Sequence, residues 1–144
     1  MTLRHPMTDA QRDSQRLTLD AIRAAWPGVD VVETRDNAAS DAVLNRDGTL
    51  VAFAECKGRP NHTYDEHPDL VMLSWIKTTF LFLMAEGERA AALAFLRFRD
   101  GEVRWADLNT IPLVGVSLDG RKDRNDPLDW EACAHFRLSD WKPL

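Results

Sequence analysis

The stretch D-A-V-L-N-R-D-G-T-L-V-A-F-A-E-C-K-G, residues 41–58, decides how the rest of the chain is read. Ala42-Val43-Leu44 and Leu50 to Ala54 are apolar runs of strand length, and Asn45-Arg46-Asp47-Gly48 between them has the composition of a tight turn. The spacing predicts a β-hairpin. Asp41 opens its first strand, and Glu55 and Lys57 close its second. In an antiparallel pair the start of one strand lies beside the end of the other, so Asp41 and Glu55 should meet despite their separation in sequence. Residues two apart leave the same face of a strand, which adds Lys57 to Glu55. Two carboxylates and an ammonium are thus expected at one point.

A solvated polar strand end would carry the same residues. The sharper reading is a divalent-cation site. Asp41, Glu55 and the backbone carbonyl of Cys56 are hard oxygen donors suited to Mg²⁺, with Mn²⁺ as a substitute. Lys57 would then hold or deprotonate a water, or offset charge growing on a phosphoryl oxygen.

An Asp at a strand start, a hairpin, then Glu-x-Lys at the end of the next strand resembles the PD-(D/E)xK nuclease superfamily, on Asp41, Glu55, Cys56 and Lys57. Ser40 stands where the pattern usually has Pro. The resemblance implies an α/β, restriction-endonuclease-like αβββαβ core with a mixed central sheet, covering about residues 9–100 of a single domain, 1–144. A C-terminal hairpin and a short segment would follow. It also implies Mg²⁺-dependent hydrolysis of phosphodiester bonds in nucleic acid, most often DNA, by an endonuclease or exonuclease leaving 5′-phosphate and 3′-hydroxyl ends. Two other classes fit the same residues: a nuclease-like domain that binds DNA or protein without cutting, and a structural or inhibitory interaction module.

The bulk properties are compatible with this. At 144 residues, 44% hydrophobic and 28% charged, the chain has the size and composition of one globular domain. A net charge of −5 argues against a protein that coats nucleic acid, but not against an enzyme with a local basic surface. Cys56 and Cys133 make neither a disulfide framework nor a zinc motif. Met1 to Arg16 has no apolar run, and Leu70 to Ala85 is interrupted by Lys77, so neither a signal segment nor a membrane span is expected. The expected location is cytoplasmic.

A first helix is predicted from Thr8, as cap, to Pro27-Gly28, with Ala10, Leu17, Ala21 and Ala24 as its stripe. The resemblance makes Asp13 and Asp20 on this helix candidates for an additional acid facing the metal; solvated helix charge is the competing reading. Asp30 to Arg35 is the expected first strand, from which Glu33 is another candidate acid. The loop after Gly58 offers Arg59 to a phosphate and Tyr64 to a base. His62 and His67 in that loop lack the partners of a zinc site.

Asp69 to Glu86, ended by Gly87, reads as a second helix that is apolar almost all round. Lys77 falls in its stripe of Leu70, Leu73, Leu81 and Met84, so its ammonium needs a carboxylate partner, Asp41 or Glu55. The resemblance makes it a supporting catalytic residue, with Ser74 a weaker candidate. Trp75, Thr79 and Phe82 on the opposite face call for cover from the C-terminal segment or from a second copy in a homodimer. Ala91 to Arg99 and Glu102 to Leu108 form a further hairpin, which offers Arg97, Arg99 and Arg104 to a nucleic-acid backbone. Asn109 to Val116 reads as strand, Ser117 to Asp129 as a mixed-charge loop with Arg121, Lys122 and Arg124, and the remainder as a short strand or helix with a structural His135.

Overall fold

The computed structural model describes residues 7–35, 38, 40–120 and 130–144. Helix α1 spans Asp9–Ala25, and strands β1, β2 and β3 span Asp30–Glu33, Ala42–Arg46 and Thr49–Arg59. Strand β4, Val71–Ser74, leads directly into helix α2, Trp75–Glu88. Strands β5 (Ala91–Phe98), β6 (Val103–Asp107), β7 (Gly115–Gly120) and β8 (Trp130–Phe136) follow, then a 3₁₀ turn at Leu138–Asp140 and a short strand β9, Lys142–Pro143. The main sheet has the order β1-β2-β3-β5-β6-β9, and a second sheet has the order β4-β8-β7.

The first three strands form an antiparallel meander, and β3 pairs parallel with β5, so α2 lies on the crossover between them. This is the expected αβββαβ core. The hairpin turns at Asp47 and Gly48, both with positive φ (51° and 77°), the backbone that a two-residue turn between twisted strands requires. Helix α1 starts at a capping box: Gln11 N–H donates to Thr8 Oγ1 (3.2 Å) and Thr8 N–H donates to Gln11 Oε1 (2.9 Å).

Alternation along β3 and β5 sorts side chains between two cores. Phe53, Ala94, Leu96 and Phe98 face α2, against Leu81 and Ala85. Ala52, Ala54, Leu93 and Phe95 face α1, against Leu19 and Ile22.

Several sequence expectations need correction. The second helix does not begin at Asp69: Val71 and Leu73 are buried and Met72 is exposed, the period-two pattern of a strand, and these residues pair with β8. Nor does Gly87 end it; the helix runs to Glu88 and stops where Arg89 takes the left-handed conformation at φ 53°. On α1 the buried face is Gln15, Thr18, Leu19 and Ile22, whereas Ala10, Leu17 and Ala24 are exposed. The first strand ends at Glu33, and the strand expected within 109–116 lies instead at Gly115–Gly120. Arg121, Lys122 and Arg124 fall outside the described residues. The C-terminal segment does pack on α2 through β8, while Ile76, Phe80 and Leu83 on the helix's outer face remain exposed at 43, 52 and 60%.

Candidate active site

The hairpin register places the first functional pair. Ala42 lies opposite Ala54, and Asp41 N–H extends the ladder by donating to the Ala54 carbonyl (2.9 Å). Asp41 and Glu55 are therefore the next opposed residues and share the α2 face of the sheet. Their carboxyl groups are within hydrogen-bonding reach of each other. Asp41 Oδ2 also accepts from the Cys56 N–H at 2.7 Å, which fixes its orientation.

Glu55 is only 7% exposed. Two lysines reach its Oε1, Lys57 Nζ at 3.7 Å along the same strand and Lys77 Nζ at 3.5 Å from the first turn of α2. The partner that a cation in an apolar helix requires is thus Glu55. Burial, then the neighbouring Asp41 charge, raises the Glu55 pKa above its ordinary value of 4.5, against the opposing pull of the two lysines. Burial, then the Lys77 charge, lowers the Lys57 pKa. Burial also holds the Cys56 thiol well above its ordinary range. Glu55, Lys57, Ser74, Lys77 and Thr78 line a small pocket beside Leu81 between α2 and the sheet.

The remaining candidates separate by position. Asp13 and Asp20 lie on the solvent side of α1, at 61 and 58% side-chain exposure, paired with Arg16 (2.8 Å) and Arg23 (2.9 Å), so the carboxylate pair receives no acid from them. Glu33 lies opposite Ala42, hence on the α1 face, where Gln15 Nε2 donates to it at 3.0 Å. Among the described residues no three His, Cys, Asp or Glu side chains cluster as a metal site; the donor set remains two carboxylates and main chain.

Tyr64 is not a free stacking platform. Its ring meets Phe98 edge-on at 5.9 Å, and the Arg104 guanidinium lies over it at 3.8 Å. Arg99 is paired with Glu66 at 2.6 Å. Arg97 lies opposite Gly58 in the parallel ladder, on the α1 face with Leu93 and Phe95, away from Glu55. Arg59 follows Lys57 on the α2 face, and its guanidinium donates to the carbonyls of Gly58 (3.1 Å) and Met72 (3.5 Å). It is the substrate-contact candidate closest in the strand to the carboxylate pair. His62 and His67 pack ring to ring at 5.4 Å.

Sequence reasoning missed Thr78, which the pocket brings beside Lys77, and the bond from Ser74 Oγ to Glu131 Oε2 (3.0 Å). The first follows from the helix period once Lys77 is known to face inward. The second depends on the pairing of β4 with β8, for which no local pattern speaks.

A mixed sheet with a helix on each face, and an Asp opposed to Glu-x-Lys at the end of its third strand, defines the restriction-endonuclease-like fold of the PD-(D/E)xK nucleases. A family model described as "Phage putative PDDEXK endonuclease" matches residues 4–144, and the chain belongs to that family. Its members are nucleases, and PD-(D/E)xK nucleases generally use divalent metals. Among solved structures, the chain is similar to Hjc, a Holliday junction resolvase of the archaeal hyperthermophile Archaeoglobus fulgidus. The TM-score is 0.58 at 16% identity, over 90% of this chain and 87% of that one, a likeness of fold. No match is found among the curated proteins.

Proposed function

We propose that this protein is a divalent-cation-dependent endonuclease that hydrolyses phosphodiester bonds in DNA. The observation that carries this reading is the opposition of Asp41 and a buried Glu55 across the hairpin, with two lysines on one Glu55 oxygen. Two carboxyl groups so close need a proton or a cation between them, as the raised Glu55 pKa expresses. The donors fit a hard cation. Cys56 adds a third: its N–H points to Asp41, and in an extended strand the carbonyl of the same residue projects to the same edge, past the last β2–β3 pair.

Asp41, Glu55 and the Cys56 carbonyl would hold Mg²⁺. When bound, the ion supplies Lewis acidity, which lowers the pKa of water and offsets charge on the phosphoryl group. The chain's own groups do the rest. Lys57, its pKa lowered by burial, orients the attacking water and takes a share of its proton. Lys77 keeps the Glu55 carboxylate oriented and adds positive charge beside the carboxylate pair, where the scissile phosphate would lie. Arg59, beyond Lys57, meets a flanking phosphate. Attack in line with the 3′ oxygen leaves 5′-phosphate and 3′-hydroxyl ends.

The test is a cleavage panel with Mg²⁺, Mn²⁺ or EDTA on linear, nicked, branched and single-stranded DNA and on RNA. Branched DNA is included because the structural neighbour is a Holliday junction resolvase. Wild type should cut DNA with cation only, and Glu55→Ala should lose on the order of 10³-fold or more while circular dichroism shows the fold retained. Full cation-dependent activity in Glu55→Ala, or RNA as the sole substrate, would overturn the assignment.

A further inference from the structure

The first turn of α2 is electrostatically unusual. The amino end of a helix carries partial positive charge and favours acids. Here the first turn has no acidic residue, and it carries Lys77. Two acids from other elements compensate. Glu55, from the main sheet, meets the Lys77 ammonium directly at 3.5 Å. Glu131, from β8 in the second sheet, accepts from the Ser74 hydroxyl at 3.0 Å.

Ser74 is the N-cap of α2, and its oxygen accepts from the Lys77 N–H at 3.5 Å. A serine hydroxyl has one proton and two lone pairs. Giving the proton to Glu131 turns the lone pairs toward the helix, the orientation a cap requires. An unbroken chain of contacts therefore runs from Glu131 through Ser74 and the Lys77 backbone to the Lys77 ammonium and Glu55. The geometry points to Glu131 as a positioning residue for cleavage: through the Ser74 hydroxyl it fixes the first turn of α2, and with it the place of Lys77 in the pocket. The second sheet acquires a role in this way, since β8 supplies the acid that the first turn of α2 lacks and also packs on the helix. The inference rests on the nuclease reading for its consequence, but its geometry can be read without cleavage.

The experiment uses the full chain as wild type, Glu131→Ala, Glu131→Gln, Lys77→Ala and the double variant Glu131→Ala/Lys77→Ala. Glutamine keeps an acceptor oxygen for Ser74, so it separates the hydrogen bond from the charge. With the best DNA substrate and Mg²⁺, Glu131→Ala should lower kcat about tenfold with KM within twofold. Glu131→Gln should stay within about threefold of wild type, and Glu131→Ala should have no further effect once Lys77 is alanine. In parallel, ¹³C-methylated lysines are followed by NMR without substrate or cation. The Lys77 signal should move in Glu131→Ala and hold its wild-type place in Glu131→Gln, whereas Lys142 moves in neither. An unmoved Lys77 signal, an unchanged kcat in Glu131→Ala, or a full additional loss in the double variant overturns the positioning role. A Lys77 signal that responds in a protein that cuts no nucleic acid leaves the coupling standing and overturns the nuclease reading instead. Circular dichroism and melting temperature identify a variant that fails to fold, in which case Ser74→Ala repeats the test from the middle of the chain of contacts.

Discussion

The two faces of β3 carry opposite kinds of side chain. Toward α2 the strand presents Glu55, Lys57 and Arg59; toward α1, interleaved with them, it presents Ala54, Cys56 and Gly58. On one face an acid is held against another acid and two cations. On the other the thiol stays neutral and the glycine admits a helix close to the strand. Strand alternation lets adjacent residues serve chemistry and packing without compromise, because a shift of one residue carries a side chain through the sheet. The strand also links the two faces through its backbone, where the Cys56 N–H orients Asp41 on the carboxylate side while the Cys56 thiol packs on the other.

The largest effect that would sharpen this contrast comes from adjacent alanine substitutions. Lys57→Ala should cost roughly 10²–10⁴ in kcat, the range of a lost general acid–base or electrostatic group. Cys56→Ala leaves the backbone N–H to Asp41 in place and should stay within about threefold of wild type. Single-turnover cleavage on the same DNA measures both. Comparable losses in the two variants would break the division between the faces.

A smaller effect is expected from pH and cation together. A cation at Asp41 and Glu55 competes with the proton that burial and Asp41 favour on Glu55. Apparent Mg²⁺ affinity should therefore climb with pH, by up to about tenfold per unit, and level off once Glu55 is ionised. The stability sign follows from the same shift. A carboxyl whose folded pKa exceeds its unfolded one stabilises the fold at acid pH, and that contribution is lost as pH rises through the folded value. The metal-free protein should lose melting temperature from the ordinary carboxylate range upward, and Mg²⁺ should restore it. Melting curves in EDTA and in Mg²⁺ across pH test this, and coincident curves would contradict it. Cys56→Ala should leave both curves unshifted relative to each other.

The hairpin was legible in the sequence because three signals coincide there: apolar runs, an Asp-Gly turn and charges confined to the strand ends. That coincidence also singled out Asp41, Glu55 and Lys57, and the need of a cation in an apolar stripe for a partner singled out Lys77. The start of α2 was not legible. Val71 and Leu73 satisfy a helical stripe as well as a strand, and only pairing with β8, some sixty residues later, decides between them. The same gap hid Glu131. On α1 the small alanines suggested a stripe that burial assigns to Gln15, Thr18, Leu19 and Ile22, since alanine is indifferent to which side of a helix it occupies. The pairing of Arg99 was hidden for another reason: sequence shows charge but not its partner, and Glu66 beside Arg99 is close only in space.

The smallest effect concerns the packed face of β3. A Cβ built on Gly58 would lie 2.9 Å from Ser14 Oγ and 3.7 Å from Ser14 Cβ, so the obstacle is one hydroxyl on α1. That hydroxyl can rotate, and alanine also narrows the unfolded ensemble, worth about 0.4–1 kcal/mol in favour of the fold. Gly58→Ala should thus change stability by less than about 1 kcal/mol in wild type, the two terms opposing each other. In a Ser14→Ala background the obstacle is gone and the remaining contact is ordinary, so the same substitution should become stabilising. The double-mutant cycle isolates this coupling, because the helix-propensity gain of Ser14→Ala cancels within it. Cleavage should be unchanged in all three variants, since none touches the α2 face. A stability change that is equal in both backgrounds would show that Ser14 does not limit the approach of α1, and a loss of cleavage would show that the packed face does more for the carboxylates than hold the strand in place.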